Sequence, residues 1–520
     1  MEYDYDYIVI GSGFGGSVSA YRLSQKGYKV LVVEKGKRFH AKDFPKTNWN
    51  LPKWLWLPTL RFFGIFKITF FRHVGILSGV GVGGGSLVYA NTLPVPKSAF
   101  FNSGSWSGIT NWESELEPHY TEAKRMLGAS KNPYLGISDT VVQNISRSEG
   151  NEKEFSAADV AIYFGESGKE LKDPYFNGDG PTRSGCTFCG ACMTGCRYNS
   201  KNTLDKNYLY LAEKNGVTIM PETLVTNVTP LDEDGSKGFE LEMKPSIKIF
   251  RRKKTLRTKN VVFSGGVMGT IELLLSLKKT TLPHLSNKVG EMVRTNNESL
   301  IGIVTPNSQL DMTDGIAIGS VYHTDKNSHL EPVRYGKGSG FWRIMMLPMV
   351  KGSNGFVRII NTMIELISNP IVYSKILLKG KFAQRSAVLL FMQTLNSTLT
   401  LRKTKFGLNS TVRNGEKPAA FIPEAVDFST KFSKEVGGKP MVVVTETLFG
   451  IPTTAHILGG AVIGKSAQEG VINHKHEVFG YKNMWVCDGS AVSANPGVNP
   501  SLTITAMSER AMSFIKEKSN

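Results

Sequence analysis

Gly11-Ser12-Gly13-Phe14-Gly15-Gly16 follows the apolar run Tyr7-Ile8-Val9-Ile10 and opens a stretch that sets Val18, Tyr21 and Leu23 at helical spacing before Gly27. Strand, glycine turn and helix in that order predict backbone N–H groups and the positive end of a helix aimed at a pyrophosphate. Gly11 permits the turn, Gly13 lets phosphates approach, and Gly16 lets the helix pack on the sheet, with Phe14 and Gly15 completing the cradle. The next strand, Lys29–Val33, ends in Glu34, where a carboxylate can accept hydrogen bonds from an adenosine ribose diol and repels a 2′-phosphate. An isolated turn of this kind is equally an ordinary glycine loop. Its flanking strand, helix and acid make it a dinucleotide site, without choosing between FAD and NAD.

At 520 residues the chain exceeds what one hydrophobic core spans, so two domains are expected; 41% apolar and 20% charged residues describe a globular protein. The start Met1–Asp6 is acidic and runs straight into the first strand, so no secretory signal is expected, and no apolar stretch reaches transmembrane length. The expected location is cytoplasmic, or peripheral to the inner face of a membrane. A net charge of +18 fits nucleic acid, an anionic membrane surface or an acidic protein. No motif supports nucleic acid, and the basic run Arg251–Lys254 reads as a solvated hairpin tip. Two segments mix aromatic and aliphatic residues with cations. Leu51–Phe71 carries Trp54, Trp56 and Phe62 beside Lys53, Arg61 and Lys67; Phe341–Lys381 carries Trp342, Met345, Met346 and Ile359 beside Arg343, Lys351, Arg358, Lys375 and Lys379. Each suits a surface dipping into lipid headgroups or the wall of a substrate cavity, and the two readings are compatible.

Several further motifs, in order along nearly the whole chain, resemble the glucose–methanol–choline (GMC) oxidoreductases, and within them the cholesterol oxidase branch. They are the second glycine loop Gly79–Ser86, containing Gly83, Gly84, Gly85 and Ser86 and followed by Asn91; Ser264-Gly265-Gly266-Val267-Met268-Gly269-Thr270; Val293–Glu298; His456–Gly460; Asp488-Gly489-Ser490; and Gly497-Val498-Asn499-Pro500. Gly266 departs from the pattern, standing where an alanine is usual. The resemblance implies FAD as cofactor and an α/β fold in which a Rossmann-like FAD-binding domain (1–42, 203–299 and 449–520) is interleaved with an α+β substrate domain (43–202 and 300–448) built on a large antiparallel sheet. It also implies that Val225 holds the adenine through backbone groups, that Asp488 holds the ribityl chain, and that Gly265, Gly489, Asn499 and Pro500 border the flavin. The glycine loop Gly79–Asn91 offers no histidine or cysteine to tether the flavin covalently.

The implied chemistry is hydride removal from an alcohol carbon to flavin N5, with a polar group taking the hydroxyl proton. His456 is the candidate base, since imidazole titrates near neutrality, and Asn499 the partner of the substrate oxygen or flavin edge. His474 and His476 sit in a polar loop without a comparable motif. Cholesterol oxidases of this fold use a pocket glutamate for double-bond isomerisation; the segment Ala387–Thr394 offers Gln393 and no carboxylate, which leaves that step without its residue.

Four of the five cysteines form the run Cys186-x2-Cys189-x2-Cys192-x3-Cys196, the ferredoxin-type spacing for a [3Fe–4S] or [4Fe–4S] cluster. Structural zinc, disulfides and free thiols are the other readings of it; Arg197 replaces the proline that often follows the fourth ligand. Cys487 stands apart as a core thiol. The favoured function is oxidation of a sterol-like or lipid alcohol. The alternatives are a flavin and iron–sulfur electron-transfer component, or a dehydrogenase of another alcohol that passes electrons to a quinone or protein acceptor.

Overall fold

In the computed structural model, which describes residues 2–248, 252–405, 407–412 and 418–519, the strand expected over Tyr7–Ile10 extends to Tyr5–Ile10 and the helix runs over Phe14–Gln25 with Gly13 as its N-cap. That helix buries Val18, Ala20 and Leu23, and packs on the C-terminal helix Ser501–Ser513.

Tyr5–Ile10 lies between Val30–Val33 and Lys254–Phe263, parallel to both, with Thr218–Met220 beyond Val30–Val33. Lys254–Phe263 serves two partners because it is long. Its first half pairs antiparallel with Phe239–Pro245, whose hairpin partner is Thr223–Pro230, and its second half pairs parallel with Met484–Val486. The last of these brings the C-terminal motifs beside the first glycine turn. Lys253 and Lys254 of the basic run belong to the Phe239–Phe263 hairpin, where Lys253 pairs with Glu242 at 2.7 Å; Arg251 lies outside the described residues.

Among the described residues a second seven-stranded sheet has the order Met346–Pro348, Lys439–Val443, Ser299–Val304, Ser386–Gln393, Ser328–Val333, Ser320–Tyr322, Phe155–Ala157, antiparallel at every step. Alternation of side chains along a strand gives this sheet two different faces. Ile301, Ile303, Leu389 and Phe391 pack under the helices Ile137–Ser148 and Pro423–Val436, meeting Val142, Ile145, Ala425, Phe428 and Phe432. Leu300, Val388, Leu390 and Val333 point the other way, into a cavity shared with the glycine turn. The large antiparallel sheet and the mixed α/β architecture agree with the sequence reading.

The helix Tyr208–Lys214 starts where it does because Leu204 N–H is held by Ser86 Oγ at 3.1 Å and Asn207, with extended φ, caps the helix through its side chain. One expectation from the sequence changes. Trp54, Trp56 and Phe62 are not surface anchors. Trp54 is fully buried and stacks on Phe66 with ring centroids 4.8 Å apart, Trp56 is buried, and Phe62 is half-buried. Within this segment Phe66 and Lys67 line the cavity, while Leu57, Leu60 and Phe70 stay exposed.

The antiparallel sheet is tied to its covering helix by a buried ion pair. Asp139 in the first turn of Ile137–Ser148 accepts from Ser320 Oγ at 2.7 Å and Gly136 N–H at 2.9 Å, and pairs with Arg334, which also donates to Asp314 O at 2.8 Å. Removing one partner strands the other charge out of water. Asp139→Ala is expected to cost about 3–5 kcal/mol in equilibrium denaturation; a loss below about 1 kcal/mol would show that the pair contributes no net constraint.

Candidate active site

The first glycine turn is shaped by backbone contact. Gly11 has φ +108°, donates its N–H to Val33 O at 2.8 Å, and leaves no room for a side chain, since a Cβ there would lie 2.2 Å from Ser264 O. A Cβ on Gly15 would lie 1.7 Å from Cys487 O, and one on Gly84 would lie 2.7 Å from Gly13 Cα. The two glycine loops and the C-terminal segment therefore meet main chain to main chain. Gly13 itself faces open space, since a Cβ there would meet no atom within 4 Å, and with Phe14 and Gly15 it lines the cavity.

Glu34 is buried and already engaged: it accepts from Ser12 N–H at 3.2 Å, Ser12 Oγ at 2.7 Å and Gly36 N–H at 2.8 Å. Ser12 Oγ in turn accepts from Gly83 N–H at 3.1 Å, so the acid at the end of the second strand joins both glycine loops. Ser86 is a strut, donating to Gly83 O at 2.7 Å and accepting from Leu204 N–H. Asn91 differs from it. It is fully buried, has φ +75°, and neither its Oδ1 nor its Nδ2 has a partner. A buried amide left unsatisfied on both atoms is what a bound cofactor edge would complete.

Val225 sits at a bulge in Thr223–Pro230, a strand that starts by donating Thr223 N–H to Glu34 O at 2.9 Å. Gly265 N–H donates to Thr270 Oγ1 at 3.0 Å, and Thr270 Oγ1 donates to Asp488 Oδ2 at 2.5 Å. Burial raises the Asp488 carboxyl above its ordinary value, more than the hydrogen bonds from Ser490 and Thr270 offset. Gly13, Gly15, Gly85, Gly265, Asp488, Gly489, Asn499 and Pro500 all border one cavity of about 310 Å³, whose far wall is apolar: Phe66, Leu77, Leu300, Ile318, Trp342, Met346 and Val443. A polar glycine cradle at one end and a greasy chamber at the other fit a dinucleotide with its redox ring at the junction.

At that junction stand His456 and Asn499. His456 Nδ1 is 2.6 Å from Glu298 Oε2, the backbone N–H of Ala455 is held by the same carboxylate, and His456 N–H donates to Thr454 Oγ1 at 2.9 Å. Burial alone would pull the imidazole down; the charge and hydrogen bond of Glu298, with the charge of Glu331, outweigh it and raise it above its ordinary value. Asn499 Nδ2 donates to Glu331 Oε2 at 3.1 Å, and its Oδ1 is buried with no partner. Glu331, fully buried, meets His329 Nε2 at 2.9 Å through its other oxygen. Beyond it His323, its ring centroid 5.0 Å from that of His329, is pushed down to about 3, chiefly by burial.

Two of these residues carried no assignment in the sequence. Glu298 closes the Val293–Glu298 motif. Glu331 is a lone carboxylate in the otherwise apolar Leu330-Glu331-Pro332-Val333, opposite Leu390 in the neighbouring strand. Glu331 thus lies one strand over from Ala387–Thr394, while Gln393 bonds to Asn297 and Ser328. His476 is buried, bonded to Val486 O at 2.9 Å and pushed down to about 3 by burial.

Cys186, Cys189, Cys192 and Cys196 line one small hollow with Lys201, and none is in a disulfide, which removes that reading. Among the described residues no group of three or more His, Cys, Asp or Glu side chains is placed to hold a metal ion, so the structure supports neither zinc nor an iron–sulfur cluster at these cysteines. Cys487 is fully buried in the core beneath the first turn.

The family model for GMC oxidoreductase matches residues 386–508, and that for an NAD(P)-binding Rossmann-like domain matches residues 9–51. The chain is 45% identical over 531 residues to a cholesterol oxidase of Acinetobacter baumannii, covering 99% of this chain and 95% of the relative. It is 41% identical over 544 residues to a cholesterol oxidase of Mycobacterium tuberculosis, covering 100% and 92%. In fold it matches the crystal structure of a pyridoxine 4-oxidase with a TM-score of 0.64 and 12% identity over 98% of this chain and 99% of that one. With whole-length identity at this level and the glycine cradle, His456 and Asn499 meeting at a single cavity, the chain belongs to the cholesterol oxidase family of GMC oxidoreductases.

Proposed function

We propose that this protein is an FAD-dependent oxidoreductase that oxidises the hydroxyl of a sterol. The observation that carries this reading is the continuity of the cofactor cradle with a chamber walled by Phe66, Leu300, Trp342, Met346 and Val443, with His456 and Asn499 where the two meet. Segments 1–42, 203–299 and 449–520 would hold FAD through Gly11–Gly16, Glu34, Gly83–Ser86, Asn91, Val225, Gly265, Asp488 and Gly489, without a covalent tether. Segments 43–202 and 300–448 would hold the substrate. Bound there, FAD supplies a hydride acceptor.

The chain's own part is positioning and proton handling. Glu298 fixes the His456 ring through Nδ1, so the other ring nitrogen is the one free to take the hydroxyl proton. Asn499 is oriented by Glu331 and offers its unpartnered Oδ1 at the cavity. His456→Ala should keep FAD and lose turnover by about two to four powers of ten. A base must be neutral to act, so kcat/KM should rise with pH through a value above the ordinary imidazole range. Glu298→Gln removes the charge that raises it, and should move that limb to lower pH. Rapid flavin reduction in His456→Ala, or an unmoved limb in Glu298→Gln, would remove the dyad from the mechanism.

Glu331 also supports a second step. A buried carboxylate bonded to Asn499 beside the reacting end is suited to move a proton within a β,γ-unsaturated ketone. Glu331→Gln should still oxidise a 5-ene sterol, and chromatography should then find the unconjugated ketone accumulating; conjugated product at the wild-type rate would exclude Glu331 as the shuttle.

The substrate is dissolved in bilayers, and one surface suits collecting it there. The helix Gly355–Ser368 is inverted: Arg358 and Thr362 are its buried residues, with Arg358 donating to the carbonyls of Thr447 and Gly352, while Phe356 (72% exposed), Ile360, Met363, Ile364 and Ile367 (76%) face solvent. Exposed Ile371, Leu378 and Phe449 extend the patch, and exposed Lys351, Lys375, Lys379 and Lys381 edge it. It packs on Met346–Pro348, whose Met346 lines the chamber. No helix among the described residues is long and apolar enough to cross a membrane. An apolar stripe rimmed by lysines fits the headgroup layer of an anionic leaflet. Replacing Phe356, Met363 and Ile367 together by Ser should lower affinity for anionic vesicles at least about tenfold, each apolar side chain contributing about 1.5 kcal/mol or more when buried. Unchanged vesicle binding, or loss of self-association in the triple variant, would reassign the stripe to a protein contact.

A further inference from the structure

We propose that His329 and His323 carry protons between the buried Glu331 and solvent, by a route separate from the substrate cavity. The inference rests on the reading of Glu331 as the group that moves a proton within the unsaturated ketone.

Glu331 is fully buried, and one of its oxygens accepts from Asn499 Nδ2 at 3.1 Å. Its other oxygen is 2.9 Å from His329 Nε2. The strand Ser328–Val333 accounts for this arrangement. Alternate residues of a strand share a face, so His329, Glu331 and Val333 follow one another on the side that walls the cavity, and Val333 lines it. In the neighbouring strand Tyr322 lies opposite Leu330, which brings the next residue, His323, beside His329. The two rings meet edge to face with centroids 5.0 Å apart. Asn499, Glu331, His329 and His323 therefore form one file that starts at the cavity and leaves it across the sheet. His329 is 2% exposed, His323 is half-buried, and Asp325 and Lys326 just beyond are exposed.

The unpaired nitrogens distinguish a relay from a brace. His329 Nδ1 and His323 Nδ1 are both buried, and neither has a hydrogen-bond partner among the described residues. Bracing Glu331 takes only the Nε2 contact, and a second buried nitrogen left unsatisfied costs stability that a plain brace would keep. A relay needs both nitrogens, since an imidazole takes a proton at one as it releases a proton from the other. Rings this close exchange a proton directly or through one water. Burial first, then the nearby His329 and Lys97, push the His323 imidazole down to about 3, so it rests neutral at neutral pH and passes a proton on rather than keeping it.

The step needs no oxidant or co-reactant. As the β,γ-unsaturated ketone isomerises, its α-carbon gives a proton to the Glu331 carboxylate, the γ-carbon regains one, and the double bond moves into conjugation. While Glu331 is a carboxylic acid, its O–H passes the proton to His329 Nε2 as Nδ1 releases another toward His323, and His323 gives one to water. The reverse sequence reloads Glu331 from solvent. Atoms and charge are the same before and after, and the trace left behind is the origin of the proton at the γ-carbon.

The test is isomerisation in heavy water by the full-length, FAD-loaded protein, supplied with the β,γ-unsaturated ketone itself so that alcohol oxidation is bypassed. Mass spectrometry and NMR of the conjugated product then locate the deuterium. Wild type should place solvent deuterium at the γ-carbon. His329→Gln keeps a donor for Glu331 without a second ring nitrogen, and His323→Leu interrupts the next step. In each, deuterium per molecule of product should fall about tenfold or more, whatever the rate. A purely structural role would change the rate and leave the origin of the proton as it was. Bound FAD is the folding control; if His329→Gln loses it, His323→Leu, at the half-buried position, decides. Wild-type product without deuterium, or wild-type labelling in His323→Leu, would overturn the relay. If Glu331→Gln isomerises the ketone at the wild-type rate, Glu331 is not the shuttle and the relay falls with it. If Glu331→Gln is impaired while both histidine variants label like wild type, the relay alone falls.

Discussion

The structure depends on main-chain contact among segments that are far apart in sequence. Gly11 lies against Ser264, Gly15 against Cys487 and Gly84 against Gly13, each too close for a Cβ. These contacts can form only if Tyr5–Ile10, Lys254–Phe263 and Met484–Val486 lie side by side, as the parallel register holds them. The buried bonds from Ser12 to Glu34 and from Gly83 to Ser12 then lock the second glycine loop onto the first. A single methyl group at Gly11, Gly15 or Gly84 would separate the loops that define the cofactor cradle.

From that junction the chemistry follows by electrostatics in a dry site. Two buried carboxylates, Glu298 and Glu331, stand behind the cavity, each bonded to a residue that lines it: His456 for the first and Asn499 for the second. Burial would strip the imidazole of its proton affinity, and the paired carboxylates restore it. On the helix Gly355–Ser368 the logic inverts again. It turns its one arginine inward to backbone carbonyls and its isoleucines outward, an arrangement that is unfavourable in water and favourable against lipid.

Short-range features were legible in the sequence because their causes are local. Glycine spacing, strand alternation and the Glu34 terminus announce a dinucleotide cradle, and His456, Asn499 and Asp488 sit in motifs that keep their relative order; all three border the cavity. The cysteine spacing is likewise a property of eleven consecutive residues. Composition was less informative. Leu51–Phe71 and Phe341–Lys381 looked alike as mixtures of aromatic and basic residues, yet Trp54 is core and Phe356 is exposed. A linear pattern records which residues are apolar, and only packing decides which of them find a partner.

Pairings across long separations arise from the folded chain alone. Glu298 and His456 are 158 residues apart, Glu331 and Asn499 168, and nothing in the intervening chain signals either contact. Glu331 was missed because its role comes from lying opposite Leu390 in a neighbouring strand, and strand register is set by the whole sheet rather than by local sequence. Arg183 reads as one more basic residue until burial removes its water. Turns, helices and motif residues could be read from the linear chain because their geometry is fixed within a few bonds. The acids bonded to His456 and Asn499 and the inverted helix exist only once distant segments are packed and water is excluded.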